Sequence, residues 1–169
     1  VVDAQQRALS HLAGQVDFTP RIVPASDGEL VVRLTDGEGR AHLVWAMTCL
    51  PGSPLGEMVR PSAALLSSLG RSVARLDTAL AGFDHPAVHR DFAWDLAHAR
   101  RAIDERRALV RDAPLGRAID DACAAFDRCT APHLGSLRRC VIHNDLNDYN
   151  VLVGWGGAPG ADDQRVTGI

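Results

Sequence analysis

Between two short apolar runs the chain carries the polar stretch His143-Asn144-Asp145-Leu146-Asn147-Asp148-Tyr149-Asn150. Phosphoryl transfer needs a carboxylate that orients an attacking hydroxyl and accepts its proton, and an oxygen ligand that holds Mg²⁺ against the phosphates. An Asp on a tight loop and an Asn at the start of the next strand can point into one cleft from two sides. Asp145 is thus the candidate base and Asn150 the candidate Mg²⁺ ligand, an amide carbonyl suiting that hard cation. His143 fits a bracing role by hydrogen bonding better than a chemical one. The spacing His-x-Asp-Leu-x-x-x-Asn is that of a phosphotransfer catalytic loop. Asn and Asp also crowd ordinary polar turns; the flanking apolar strands and the glycine-rich turn ahead of a third strand weigh for the catalytic reading.

The elements that must position this loop can be read from periodicity. Apolar or small residues at Val1, Ala4, Ala8, Leu9 and Leu12 predict a helix over 1–13, with Gly14 as its stop. An extended stretch at 20–24 and a turn at Ser26-Asp27-Gly28 lead to a strand over 30–34. Asp36-Gly37-Glu38-Gly39 predicts a hairpin turn into a returning strand over 42–50, largely buried through Leu43, Val44, Trp45 and Met47. Pro51-Gly52-Ser53-Pro54 breaks it. Helical spacing follows over 61–82, then helices over 94–110 and 115–129, a short β-prone segment at 139–142, and strands at 151–153 and 166–169 around a glycine-rich turn at 154–163. The order gives an α+β fold, with a mostly β front lobe over 1–52 and a mostly helical rear lobe over 53–169.

Composition excludes several classes. The chain of 169 residues can build one compact core. Its net charge of −3 provides no basic footprint for nucleic acid. No apolar run approaches the roughly 18 residues that cross a bilayer, and no signal-peptide pattern opens it. Cys49, Cys123, Cys129 and Cys140 fit no zinc template. They read as reduced thiols of a cytoplasmic protein. All 18 basic residues are Arg, and Lys is absent.

The segment 141–153 resembles the catalytic loop of the aminoglycoside phosphotransferase and choline kinase superfamily. Asn144 stands where protein kinases usually carry Arg, as in small-molecule kinases. Leu76-Asp77-x-x-Leu80-x-x-Phe83-Asp84-His85-Pro86, followed by Trp94-Asp95-Leu96, is similar to the hydroxylysine kinase branch, which includes bacterial kinase domains fused to class III aminotransferases. The resemblance covers nearly the whole chain. It implies a protein-kinase-like two-lobed fold and transfer of the γ-phosphate of ATP, or GTP, to the hydroxyl of a small amine or amino acid. It implies a hinge at 47–52, where Thr48 and Leu50 offer a carbonyl and an amide to the adenine edge and Met47 packs near the ring. Trp94 and Asp95 could approach the acceptor, but a Trp on an amphipathic helix is more often a core residue, and that reading is preferred for Trp94.

The same resemblance marks what this chain lacks. It implies a phosphate-binding Lys ahead of the first helix and a Glu on that helix, where Asp3, Gln5 and Gln6 stand. It also implies a second metal-binding Asp just beyond Ile169; Asp162 and Asp163, in the preceding turn, are poor substitutes. The first residues read as a helix already under way and the last as a strand cut short. The expectation is therefore a domain truncated at both ends and, as given, inactive. The rival from another class is a non-catalytic pseudokinase or regulatory domain of a fused enzyme; the intact His143, Asp145 and Asn150 weigh against it.

Overall fold

The computed structural model describes residues 2–92, 94–156 and 163–169. It combines helices with small antiparallel sheets, an α+β arrangement. Helix α1 spans Val2–Leu12 and ends where the Gln15 and Val16 amides both turn back to the Leu12 carbonyl. Its Ala8 and Leu12 pack with Val16, Phe18, Leu76, Ala79, Leu80 and Phe83 in the main apolar cluster. Helix α2 spans Ala63–Leu80. Ser62 is its N-cap: the Ser62 Oγ accepts the Leu65 N–H at 3.1 Å, satisfying one of the amides a helix start leaves free. Leu65, Leu76 and Leu80 are buried at helical spacing, as periodicity predicts.

Three small sheets complete the β structure. Strand β1 (Ile22–Val23) pairs with β4 (Ala46–Met47), and β2 (Val32–Thr35) pairs with β3 (Ala41–Val44). The β2–β3 turn is built by Asp36, whose carboxylate accepts the amides of Glu38 and Arg40, each at 2.9 Å, and meets His42 Nε2 at 2.8 Å. These donors, His42 first, hold its pKa down at about 2. Gly39 takes φ 82°, a conformation that favours glycine. Strands β5 (Ser53–Pro54), β6 (Leu152–Trp155) and β7 (Gln164–Gly168) form an antiparallel sheet in that order. Strand β7 is tied to α2: Gln164 Oε1 accepts the Ser62 N–H at 2.9 Å, and Ser68 Oγ accepts the Val166 N–H at 3.2 Å.

Four expectations need correction. The returning strand over 42–50 is two short strands in separate sheets, and Leu43, Val44, Trp45 and Met47 are exposed rather than buried. Each of those sheets has only two strands among the described residues, and these side chains are left 40–47% exposed. Ser53-Pro54 does not simply break the chain but becomes an edge strand on β6, a position that tolerates proline. The segment 139–142 forms no strand, and Ile142 is exposed. The helix over 94–110 is broken into a 3₁₀ turn at Leu96–His98, α3 at Ala99–Asp104 and another 3₁₀ turn at Arg107–Leu109. The run Asp104-Glu105-Arg106-Arg107 has no apolar side chain to bury, and a short helix without a packed face is marginal. Helix α4 spans Ala113–Cys129, with Asp112 as N-cap and Pro114 inside its first turn.

The chain packs as two compact units, one of residues 1–88 with 140–169, the other of 89–139. The expected division at 52/53 belongs to the functional reading below. Val1 and Asp162, both used in the sequence reading, lie outside the described residues, as does most of the 154–163 turn. The four cysteines are unpaired thiols. Among the described residues no helix is long and apolar enough to cross a membrane.

Candidate active site

The polar loop hangs between the 139–142 segment and β6. Val151, at the loop's end, is 1% exposed and sets the depth at which the loop begins. Its carbonyl accepts the Leu55 N–H at 2.8 Å, and the Asp148 carbonyl accepts the Gly56 N–H at 2.9 Å. A 3₁₀ turn at Leu55–Glu57 therefore docks directly on the loop. Sequence reasoning missed this contact. Its only local signal was Gly56, where an added Cβ would lie 2.9 Å from both Asp148 Oδ2 and the Tyr149 ring.

Within the loop, Asn144 takes φ 64°, a left-handed conformation that Asn tolerates better than most residues. The reversal there brings His143 Nδ1 to 3.3 Å from the Asp145 N–H, which donates to it. His143 is at the surface, yet enough protein surrounds its ring that burial lowers its pKa below the usual 6.5, with the Asp145 charge opposing. The neutral ring can thus accept the Asp145 amide, a bracing contact.

Asp145 is held at both carboxylate oxygens. Asn147 Nδ2 donates to Oδ1 at 3.0 Å, and Asn150 Nδ2 donates to Oδ2 at 3.1 Å. Asn150 Nδ2 also donates to the Asp145 backbone carbonyl at 2.7 Å. Facing two acceptors, the Asn150 side chain can only present its NH₂ to them. Its Oδ1 therefore points away, and it accepts no hydrogen bond among the described residues. No arginine pairs with Asp145 among the described residues, so its carboxylate is oriented by neutral amides alone.

The residues expected to form a hinge lie elsewhere on the same compact unit. Met47 ends β4 opposite Ile22 and is 47% exposed. The Thr48 N–H donates to the Arg21 carbonyl, and Thr48 Oγ1 accepts the Arg21 N–H, both at 2.9 Å. The Thr48 carbonyl and the Leu50 amide have no protein partner among the described residues. Leu50 is half-buried, its side chain lying over Gly168. Gly52 follows at φ 130°, and a Cβ there would meet Thr167 Oγ1 at 2.5 Å and the Val153 carbonyl oxygen at 2.8 Å.

Trp94 and Asp95 belong to the other compact unit. Trp94 is 68% exposed, beside Phe92 at 6.1 Å between ring centroids, so it is not a core residue. Asp95 caps the Leu96–His98 turn by accepting the Ala97 N–H at 2.9 Å, and meets Arg139 at 3.5 Å.

The model of the phosphotransferase enzyme family matches residues 2–169. The chain belongs to the phosphotransferase enzyme family. Within it, the chain falls with the hydroxylysine-kinase-like branch of the aminoglycoside phosphotransferase and choline kinase superfamily. It is similar to the hydroxylysine kinase of Xenopus laevis, 32% identical over 130 residues, which are 73% of this chain and 34% of that protein. The hydroxylysine kinase of Mus musculus is 31% identical over 145 residues, 82% of this chain and 38% of its own length. That of Danio rerio is 26% identical over 160 residues, 90% of this chain and 44% of its own length. The chain thus spans between 34% and 44% of the length of these relatives.

Kinases of this family in general use ATP and a divalent metal ion. The phosphotransferase loop fits such an ion in one respect: Asn150 Oδ1 is a hard oxygen donor left free by the contacts of its own NH₂. Among the described residues no cluster of three or more His, Cys, Asp or Glu could hold a metal by itself. A cation that keeps several waters and leans on substrate phosphates, as Mg²⁺ does, is the kind this donor suits.

Proposed function

We propose that this chain is the part of a small-molecule kinase that carries its catalytic loop, moving the γ-phosphate of ATP or GTP to the hydroxyl of a small amine or amino acid of the hydroxylysine or amino-alcohol type. The observation that carries this reading is the paired engagement of Asp145 and Asn150: one amide orients the carboxylate with its NH₂ and leaves its oxygen free. The hydroxylysine kinase names of the relatives support the acceptor class.

In this reading Asp145 aligns the acceptor hydroxyl through a carboxylate lone pair that the amides leave open. The hydroxyl oxygen forms its bond to the γ-phosphorus as the bond to the nucleoside diphosphate oxygen breaks, and the hydroxyl proton passes to Asp145. His143 keeps the loop in register through the Asp145 amide. Asn150 Oδ1 would help hold Mg²⁺, which supplies charge neutralisation on the phosphate oxygens. The Thr48 carbonyl and Leu50 amide, without protein partners among the described residues, would pair with the base edge, with Met47 against the ring. In this scheme 1–52 is the front lobe and 53–169 the rear lobe.

The test is steady-state kinetics of the full-length protein with ATP and GTP against a panel of amino alcohols that includes hydroxylysine. Asp145→Asn, nearly isosteric, should fold normally and lose about 10²–10⁴-fold in kcat, as expected for a positioned general base. That is about 3–5 kcal/mol of barrier. Asn150→Ala should move the Mg²⁺ dependence to higher concentration. Near wild-type turnover by Asp145→Asn would remove Asp145 from the base role.

A further inference from the structure

Asp145 is clamped on its second side by a residue that neither the spacing pattern nor the reaction scheme uses. Asn147 Nδ2 donates to Asp145 Oδ1 at 3.0 Å, while its own Oδ1 accepts the Tyr149 N–H at 2.9 Å. Those partners fix which way the amide faces, since the reverse would set oxygen against carboxylate and NH₂ against N–H. The Asn150 N–H donates to the Asn147 carbonyl at 3.1 Å, so the two residues close one turn and their side-chain amides reach the two oxygens of the same carboxylate. We infer that Asn147 is a positioning residue that locks the plane of the Asp145 carboxylate for the acceptor hydroxyl. This rests on Asp145 being the base.

The chemistry favours an amide at this position. An exposed Asp side chain rotates freely, and a misplacement of about 1 Å at a reacting group can cost on the order of 10²-fold in rate. A carboxylate oxygen offers two lone-pair sites, so each amide occupies one and leaves one for the hydroxyl. A cation in place of Asn147 would orient Asp145 too, but would also hold the carboxylate in an ion pair and compete for the position the acceptor must take. Asn147 orients without adding charge.

The experiment compares Asn147→Ala, Asn147→His, Asn147→Asp and Asp145→Asn in the full-length protein. The assays are phosphoryl transfer to the amino-alcohol panel and the slower hydrolysis of ATP, in which water is the acceptor. Asn147→Ala should lower kcat roughly 10–100-fold, with KM for ATP and melting temperature unchanged. Asn147→His, which restores an N–H donor at a similar reach, should recover most of the loss. Asn147→Asp keeps the shape but sets a second carboxylate against the first, and should fall below Ala. A merely structural role would lower the melting temperature in step with activity, and the isosteric Asp variant would not be the worst. If Asp145→Asn loses activity while all three Asn147 variants keep wild-type kcat, the inference about Asn147 is overturned and the base assignment stands. If Asp145→Asn keeps its activity, or the wild-type protein turns over neither acceptor nor water, the functional reading itself fails.

Discussion

At the residue scale, the 143–150 loop is built from side chains whose charge states differ in what they can do. His143 must be neutral to accept the Asp145 amide at Nδ1, and burial holds its pKa below the usual 6.5. Because the folded-state value is lowered, the unfolded chain binds the proton more readily, so stability from this site is fully present above about pH 6.5 and is lost as pH falls through the folded value. Protonation also puts a hydrogen on Nδ1 and ends the bond. NMR titration of the His143 ring should give a midpoint below 6.5, with the Asp145 amide resonance moving in the same transition. A midpoint above 6.5 would mean that the Asp145 charge, not burial, governs the ring.

At the element scale, the loop depends on two chain passages over the β5–β6–β7 sheet, and the glycines in them are not equivalent. At Gly52 a side chain would meet the Val153 backbone oxygen at 2.8 Å, and φ is 130°, so neither the contact nor the conformation can relax cheaply. At Gly56 the obstacles are the outer ends of Asp148 and Tyr149, both exposed and able to swing aside. Gly52→Ala should therefore destabilise the protein by about 1–3 kcal/mol, whereas Gly56→Ala should change the denaturation midpoint little. Equal midpoints for the two variants in urea would show that the close approach of Gly52 to β6 and β7 is not a fixed point of the fold.

At the scale of the whole molecule, the two compact units differ in how much they bury. Residues 1–88 with 140–169 contain Leu12, Phe18, Leu65, Leu76, Val151 and Val153 in buried positions, whereas in 89–139 the one buried apolar side chain among the described residues is Cys123. Local opening tracks the density of buried apolar contacts. Native-state hydrogen exchange should therefore show amides of α3 and α4 exchanging through openings of lower free energy than those of α2 and β6. Uniform protection across both units would mean that they unfold as one.

The sequence by itself determined the pieces whose geometry is local. The stretch 143–150 is legible because Asn and Asp fit tight polar turns and because the Asp-to-Asn spacing fixes their relative reach. Helix α2 is legible because the Leu65–Leu76–Leu80 spacing specifies its buried face. The Asp36 turn is legible because its bonds close within six residues. The tertiary structure alone decided what depends on neighbours distant in the chain. Leu43, Val44, Trp45 and Met47 read as buried from their apolarity, but burial requires a covering layer, and these side chains are left exposed. The segment 139–142 has strand-forming residues, but a strand exists only where another edge offers its hydrogen bonds. Ser53-Pro54 found such an edge in β6 despite its turn-like composition. The Asn147 amide on Asp145 belongs to the same class: composition places it on the loop, and only the folded turn aims it at the carboxylate.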